Sequence, residues 1–170
     1  MTRSDPPLAA DERTMLLAFL DYHRDTLRMK AGGLDAAQLD TALAPSTMTL
    51  GGMVKHLALV EHSWLRRVFL GEEYAEPWAS VDWAADVDWD WHSARDDSPE
   101  EIWALYERMV ADAAAVLSGA GLDDLSARPS RQTGEPFSLR WILLHLVEEY
   151  ARHNGHADLI RESIDGATGE

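Results

Sequence analysis

The chain has no cysteine. Disulfides, thiolate metal ligands and a protein-borne thiol nucleophile are therefore excluded, and any metal site must be built from His and carboxylate. Lysine is also scarce: Lys30 and Lys55 stand against 13 arginines. Cations as a class are outnumbered, 15 Lys and Arg against 30 Asp and Glu, for a formal charge of −15. A nucleic-acid binder needs clustered basic residues on phosphates, so this balance argues against one, and against docking on anionic membranes. No window approaches 18 uninterrupted apolar residues, so no membrane span is expected. The N-terminal stretch MTRSDPPLAADERT lacks the apolar core of a signal peptide, which leads to the expectation of a cytoplasmic protein. No internal repeat or low-complexity segment is visible, and no stretch alternates strongly enough to argue for a sheet.

What is present is helical. At 170 residues the chain reads as one domain spanning 1–170, long enough to bury a core. Residues 1–8, with Pro6 and Pro7, read as a loose lead-in. Met15, Leu16, Phe19, Leu20 and Leu27 repeat with helical spacing and predict helix one over about 9–30, stopped by Gly32 and Gly33. A short helical turn and a loop with Pro45 and Ser46 follow. Thr49 is a candidate N-cap for helix two, about 49–70, with an apolar stripe of Met53, Leu57, Val60, Trp64 and Val68. Ser98, Pro99 and Glu101 form a capping-box signature for helix three, about 99–118. The linker 122–137 carries Pro129, Gly134 and Pro136, and Ser138 caps helix four, about 138–165, ended by Gly166. Trp64, Trp103 and Trp141 fall in these amphipathic helices and are expected to be largely buried. The expected fold is all-α: a four-helix bundle with a long irregular loop between helices two and three. That loop, 71–97, holds Trp78, Trp83, Trp89 and Trp91 and six aspartates. The run from Asp86 begins like a calcium loop but has Trp91 where glycine belongs and Asp97 where glutamate belongs. The simpler expectation is that its tryptophans lie over the bundle while its aspartates stay solvated.

Helix four carries the chemistry. His145, Glu149 and His153 are spaced by four and fan over roughly 80° of one face, with His156 inside the same arc. Leu139, Ile142, Leu143, Leu146 and Tyr150 lie on or beside that face, so its polar groups need partners, and a divalent ion is one. Glu149 and His153 at i and i+4 can reach one ion, and His56 on helix two can supply a third donor. An isolated imidazole on an apolar face is more often a hydrogen-bonded core residue than a ligand, and the spacing alone leaves the ligand set open. His62, His92 and His23 read as surface or packing residues. Arg140, Arg152 and Arg161 are candidate anchors for an anion, although pairing with neighbours such as Glu148 and Glu162 is the commoner fate.

The stretches TLGGMVKHLALVEHSWLRRVFLG and LRWILLHLVEEYARHNGHADLIRESIDG, with a weaker match through LLAFLDYHRDTL, resemble the DinB/YfiT-like superfamily of metal-binding four-helix bundles. The resemblance is strongest to its mini-circle-type subfamily and extends to mycothiol-dependent maleylpyruvate isomerase. It implies a DinB-like bundle and a metal held by His56, Glu149 and His153. His153-Asn154-Gly155-His156 matches the superfamily's His-X-Gly-polar stretch. Many relatives have His where this chain has Glu149, and the maleylpyruvate isomerase branch has Glu. The resemblance further implies an enzyme that uses a low-molecular-weight thiol such as mycothiol, with zinc the first choice of metal and nickel the next. His145 is expected to orient a ligand or to substitute for one, and His156 to bond a ligand or face the substrate. Two other readings remain open: a non-catalytic metal- or ligand-binding stress-response bundle, and a plain homodimer-forming bundle with an empty site.

Overall fold

The computed structural model describes residues 3–168; the first two residues of the expected lead-in lie outside that range. Helix one is α1, Glu12–Ala31, capped by the Asp11 carboxylate on Thr14 N–H. The short turn is α2, Ala36–Leu39. Helix two is α3, Leu50–Glu61, with Thr49 as its N-cap. Helix three is α5, Pro99–Gly119, opened by the full Ser98/Glu101 capping box, and helix four is α6, Leu139–Asp165, from Ser138 to a left-handed Gly166. Between α3 and α5 the irregular loop makes one short α-helix, α4, Trp89–His92, and two 3-10 turns, Trp78–Ser80 and Ser93–Asp96. The chain is predominantly α-helical, the DinB-like bundle that the sequence led one to expect. α1 packs along α6, and α3 packs against α5 and also meets α6. Leu139, Ile142, Leu143, Leu146 and Tyr150 of α6 are all completely buried.

Four features depart from the sequence reading. Helix two does not stay α-helical to its end: His62–Phe69 winds as a π-helix, closed by Leu70 N–H on Leu65 O. A π-turn uses the same residue types as an α-turn, and eight residues are too few for its wider repeat to show in the apolar spacing. The linker is not all loop. β1, Leu125–Pro129, pairs antiparallel with β2, Pro136–Ser138, around a turn in which Gly134 has φ 75°. These strands are too short to display an alternating pattern. Third, Trp141 is 44% exposed, so it is not a core residue, and Trp64 and Trp103 are only partly buried. Position 141 shares its face with 145 and 149, and that face borders a groove instead of the core. The fully buried tryptophan is Trp78, from the irregular loop. Finally, the loop's aspartates are not all solvated: Asp90 of α4 is 4% exposed.

A buried polar network ties the helices together. Arg24 of α1 and Glu61 of α3 form a two-pronged pair, Nε to Oε1 at 2.7 Å and Nη2 to Oε2 at 2.8 Å. Tyr150 of α6 donates to the same Oε1 at 2.9 Å and lies 3.0 Å from the Tyr106 hydroxyl of α5. Burial by itself would weaken the Arg24 charge, but the attraction of Glu61 and its hydrogen bonds more than offset this, holding Arg24 protonated. Burial, then the Glu61 charge, pushes the Tyr150 hydroxyl up, so it stays a donor.

Two outcomes follow for stability. Arg24→Ala leaves Glu61 charged and buried without its cation, and should cost about 3–5 kcal/mol in a denaturant titration. Trp141→Ala should cost roughly 1 kcal/mol or less, far below a core truncation, because the ring keeps nearly half its surface in water.

Candidate metal centre

α3 and α6 run side by side so that His56 faces the second half of α6. One donor atom each from His56, Glu149 and His153 lies within 4.8 Å of the others. His153 Nε2 is 3.5 Å from Glu149 Oε2, too long for a hydrogen bond. Ligand atoms of one tetrahedral ion with bonds of about 2.1 Å are themselves separated by roughly 3.4 Å, so this spacing suits a shared ion. The same separation recurs between His145 Nε2 and Glu149 Oε1, 3.5 Å, and His145 with Glu148 and Glu149 forms a second donor group. Glu149 belongs to both groups, and His145 stands where it can orient that carboxylate.

The residue that the sequence reading missed is Asp90. Its Oδ2 lies 2.7 Å from His56 Nδ1. That bond leaves His56 Nε2 for an ion and fixes the ring, the arrangement by which carboxylates orient metal-binding histidines. Trp91, the next residue, stacks on the His56 ring with centroids 4.7 Å apart and lies 5.4 Å from the His153 ring. α4 can come this close because Gly52 has no side chain: a Cβ there would meet Trp91 Cε3 at 3.0 Å and Trp91 O at 3.1 Å. The TLGGMVKH stretch therefore pairs a donor with the glycine that lets its orienting helix approach. Buried carboxylates of loop residues carry no periodic signal. The only clue was the rule that a histidine donor usually has a carboxylate behind it.

His153 is buried, and burial, followed by the charges of His56 and His156, lowers its pKa to about 4. It is thus a neutral imidazole at physiological pH, the form that binds metals. His153 Nδ1 and His156 Nδ1 are buried without a hydrogen-bond partner, and the two rings are 5.6 Å apart. The remaining sequence candidates are engaged elsewhere. His62 is buried, stacks on Trp78 and accepts Ala75 N–H. His92 pairs with Asp86, and the His23 carbonyl accepts from Asn154. Arg140 binds Glu12 and Asp123, Arg152 binds Glu148, and Arg161 binds Asp165, so all three already pair with acids of this chain.

A helical bundle that turns imidazole and carboxylate donors from two facing helices toward one point could hold a metal ion there. The chain belongs to the family described as mycothiol S-transferase, a DinB/YfiT-like family, whose model matches residues 15–166. It is also similar in fold to a solved structure described as a conserved protein from Enterococcus faecalis. That likeness has a TM-score of 0.68 at 15% identity and covers 94% of this chain and 100% of the other. No curated protein matches. No helix among the described residues is long and apolar enough to cross a membrane.

The depressed His153 pKa sets a pH dependence. A folded-state value near 4 against an unfolded value near 6.5 means the unfolded chain binds this proton more readily. In metal-free protein the resulting stability should be complete above about pH 6.5 and lost as pH falls toward 4. Thermal melts across that window should show a flatter acid limb for His153→Gln than for the parent.

Proposed function

We propose that the protein is a divalent-metal-dependent enzyme acting with a low-molecular-weight thiol of the mycothiol type, as an S-transferase or a thiol-assisted isomerase. The observation that carries this is the convergence of His56, Glu149 and His153 on one point in a chain of the mycothiol S-transferase family. The donor set, two imidazoles and one carboxylate, suits zinc first and nickel second. A bound ion of this kind supplies Lewis acidity, lowering the pKa of a thiol in its shell so that a thiolate is available at neutral pH.

The chain's own residues supply the rest. Asp90 keeps the proton on His56 Nδ1 and so presents Nε2. Glu149 brings one negative charge that partly offsets the ion. Trp91 covers the imidazoles and excludes water from one side. His56, Glu149 and His145 side chains remain 21%, 20% and 22% exposed, so a small molecule can reach the donors from solvent. That accessible edge favours a catalytic site over a purely structural one, which would be closed by a fourth protein ligand. The absence of cysteine is consistent with an external thiol as nucleophile.

Calorimetric zinc titration tests this reading. His153→Ala should bind zinc far more weakly than the parent, and Asp90→Asn about 10–100-fold more weakly, each with an unchanged helical spectrum. Both should slow metal-dependent consumption of mycothiol with a chloronitrobenzene electrophile. Parent-like zinc affinity in His153→Ala would sink the site and, with it, the thiol chemistry.

A further inference from the structure

Two turns of α6 before Glu149, a pocket of about 830 Å³ opens between the π-helical end of α3, the β-hairpin and the first turn of α6. Its size is that of a small-molecule site. One wall is aromatic. Trp64 meets Phe137 edge-on at 5.2 Å and Trp141 at 5.3 Å, and Phe137 lies 4.6 Å from Trp141. The other wall is cationic. In a chain of formal charge −15, the pocket is lined by Arg67, Arg128 and Arg131 against a single carboxylate, Glu135.

These arginines are not equivalent. Arg128 is committed: it donates to the carbonyls of Gly71 and Glu72 and pairs with Glu73. Arg67 and Arg131 have no carboxylate within ion-pair distance among the described residues. Arg67 lies over the Tyr74 ring at 4.6 Å, and its Nε is buried without a hydrogen-bond partner. An acid that feels the Arg67 charge, Glu73, is already held by Arg128, so Arg67 and Arg131 leave guanidinium donors at the pocket wall that an external anion can use.

The pocket is also wired to the candidate metal centre. Trp64 and Trp141 each contact His145, at 4.6 and 5.1 Å between ring centroids, and His145 Nε2 lies 3.5 Å from Glu149 Oε1. Trp141, His145, Glu149 and His153 follow one another at intervals of four along one face of α6. From Trp141 to Glu149 is two turns, roughly 12 Å.

We propose that this pocket binds the acid-bearing end of an organic substrate, its body against Trp64 and Trp141, its carboxylate on Arg67 and Arg131, and its reactive end directed along α6 toward Glu149. The direction toward Glu149 rests on the metal–thiol reading; binding in the pocket does not. The ligand is the electrophilic partner of the thiol. Mycothiol itself is a neutral sugar–inositol conjugate and would leave both guanidinium charges without a counterion.

The test uses the full chain treated with chelator, so that it stands apart from the metal titration. Isophthalate, a ring with two carboxylates, is titrated by calorimetry beside its neutral analogue isophthalamide. Isophthalate should bind with at least tenfold preference over the amide, and Arg67→Gln and Arg131→Gln should each weaken it about tenfold. Arg131 is exposed on the hairpin turn, so its variant does not put folding at risk. The proposal is overturned if isophthalate shows no binding up to about 10 mM, if the amide binds equally well, or if neither variant changes the affinity. Displacement of isophthalate by S-methyl mycothiol would also overturn it, by giving the pocket to the body of the thiol.

Discussion

The pair between Arg24 and Glu61 is the constraint on which the arrangement of the bundle depends. Two charges withdrawn from water must find each other and have their remaining lone pairs and protons satisfied, or the chain does not fold that way. Here one carboxylate is shared by α1 and α6 through Arg24 and Tyr150, and Tyr106 brings in α5. Apolar packing alone tolerates small rotations and slides of one helix on another. A two-pronged guanidinium–carboxylate pair with a tyrosine on the same oxygen does not. It fixes the register of α3 against α6.

That register decides the chemistry. Glu61 is five residues beyond His56, and Tyr150 directly follows Glu149. Drawing Tyr150 into the core turns its neighbour by about 100° onto the groove face, where His56 meets it. The candidate donors are therefore placed by groups outside the donor cluster. α4 adds the second half of the arrangement from the opposite side, pressing Asp90 and Trp91 onto His56 across the bare surface of Gly52.

The groove face of α6 changes character along its length. Its second half presents neutral imidazole and carboxylate, which suits a cation and a nucleophile held near it. Its first turn presents indole beside the pocket arginines Arg67 and Arg131, which suits the organic anion proposed above. His145 lies between the two, touching Trp64 and Trp141 on one side and Glu149 on the other. Its intermediate position accounts for the difficulty of assigning it from sequence as ligand or as packing residue.

By itself the sequence determined the main helices and placed the candidate donors of α6 on one face. Caps at Thr49, Ser98 and Ser138, glycine stops and the apolar repeat are local signals, acting within a turn or two of the residues that carry them. The i, i+4 spacing of Glu149 and His153 is local in the same sense, and the motif resemblance pointed to His56 as their partner. Only the tertiary structure decided that Trp141 faces water, that Asp90 is buried behind His56, that His62–Phe69 widens into a π-helix, and that Arg67 and Arg131 line one pocket. Each of these depends on contacts between segments far apart in the chain. Periodicity says which residues share a face of a helix; it does not say whether that face meets a core, a groove or a loop folded back from elsewhere.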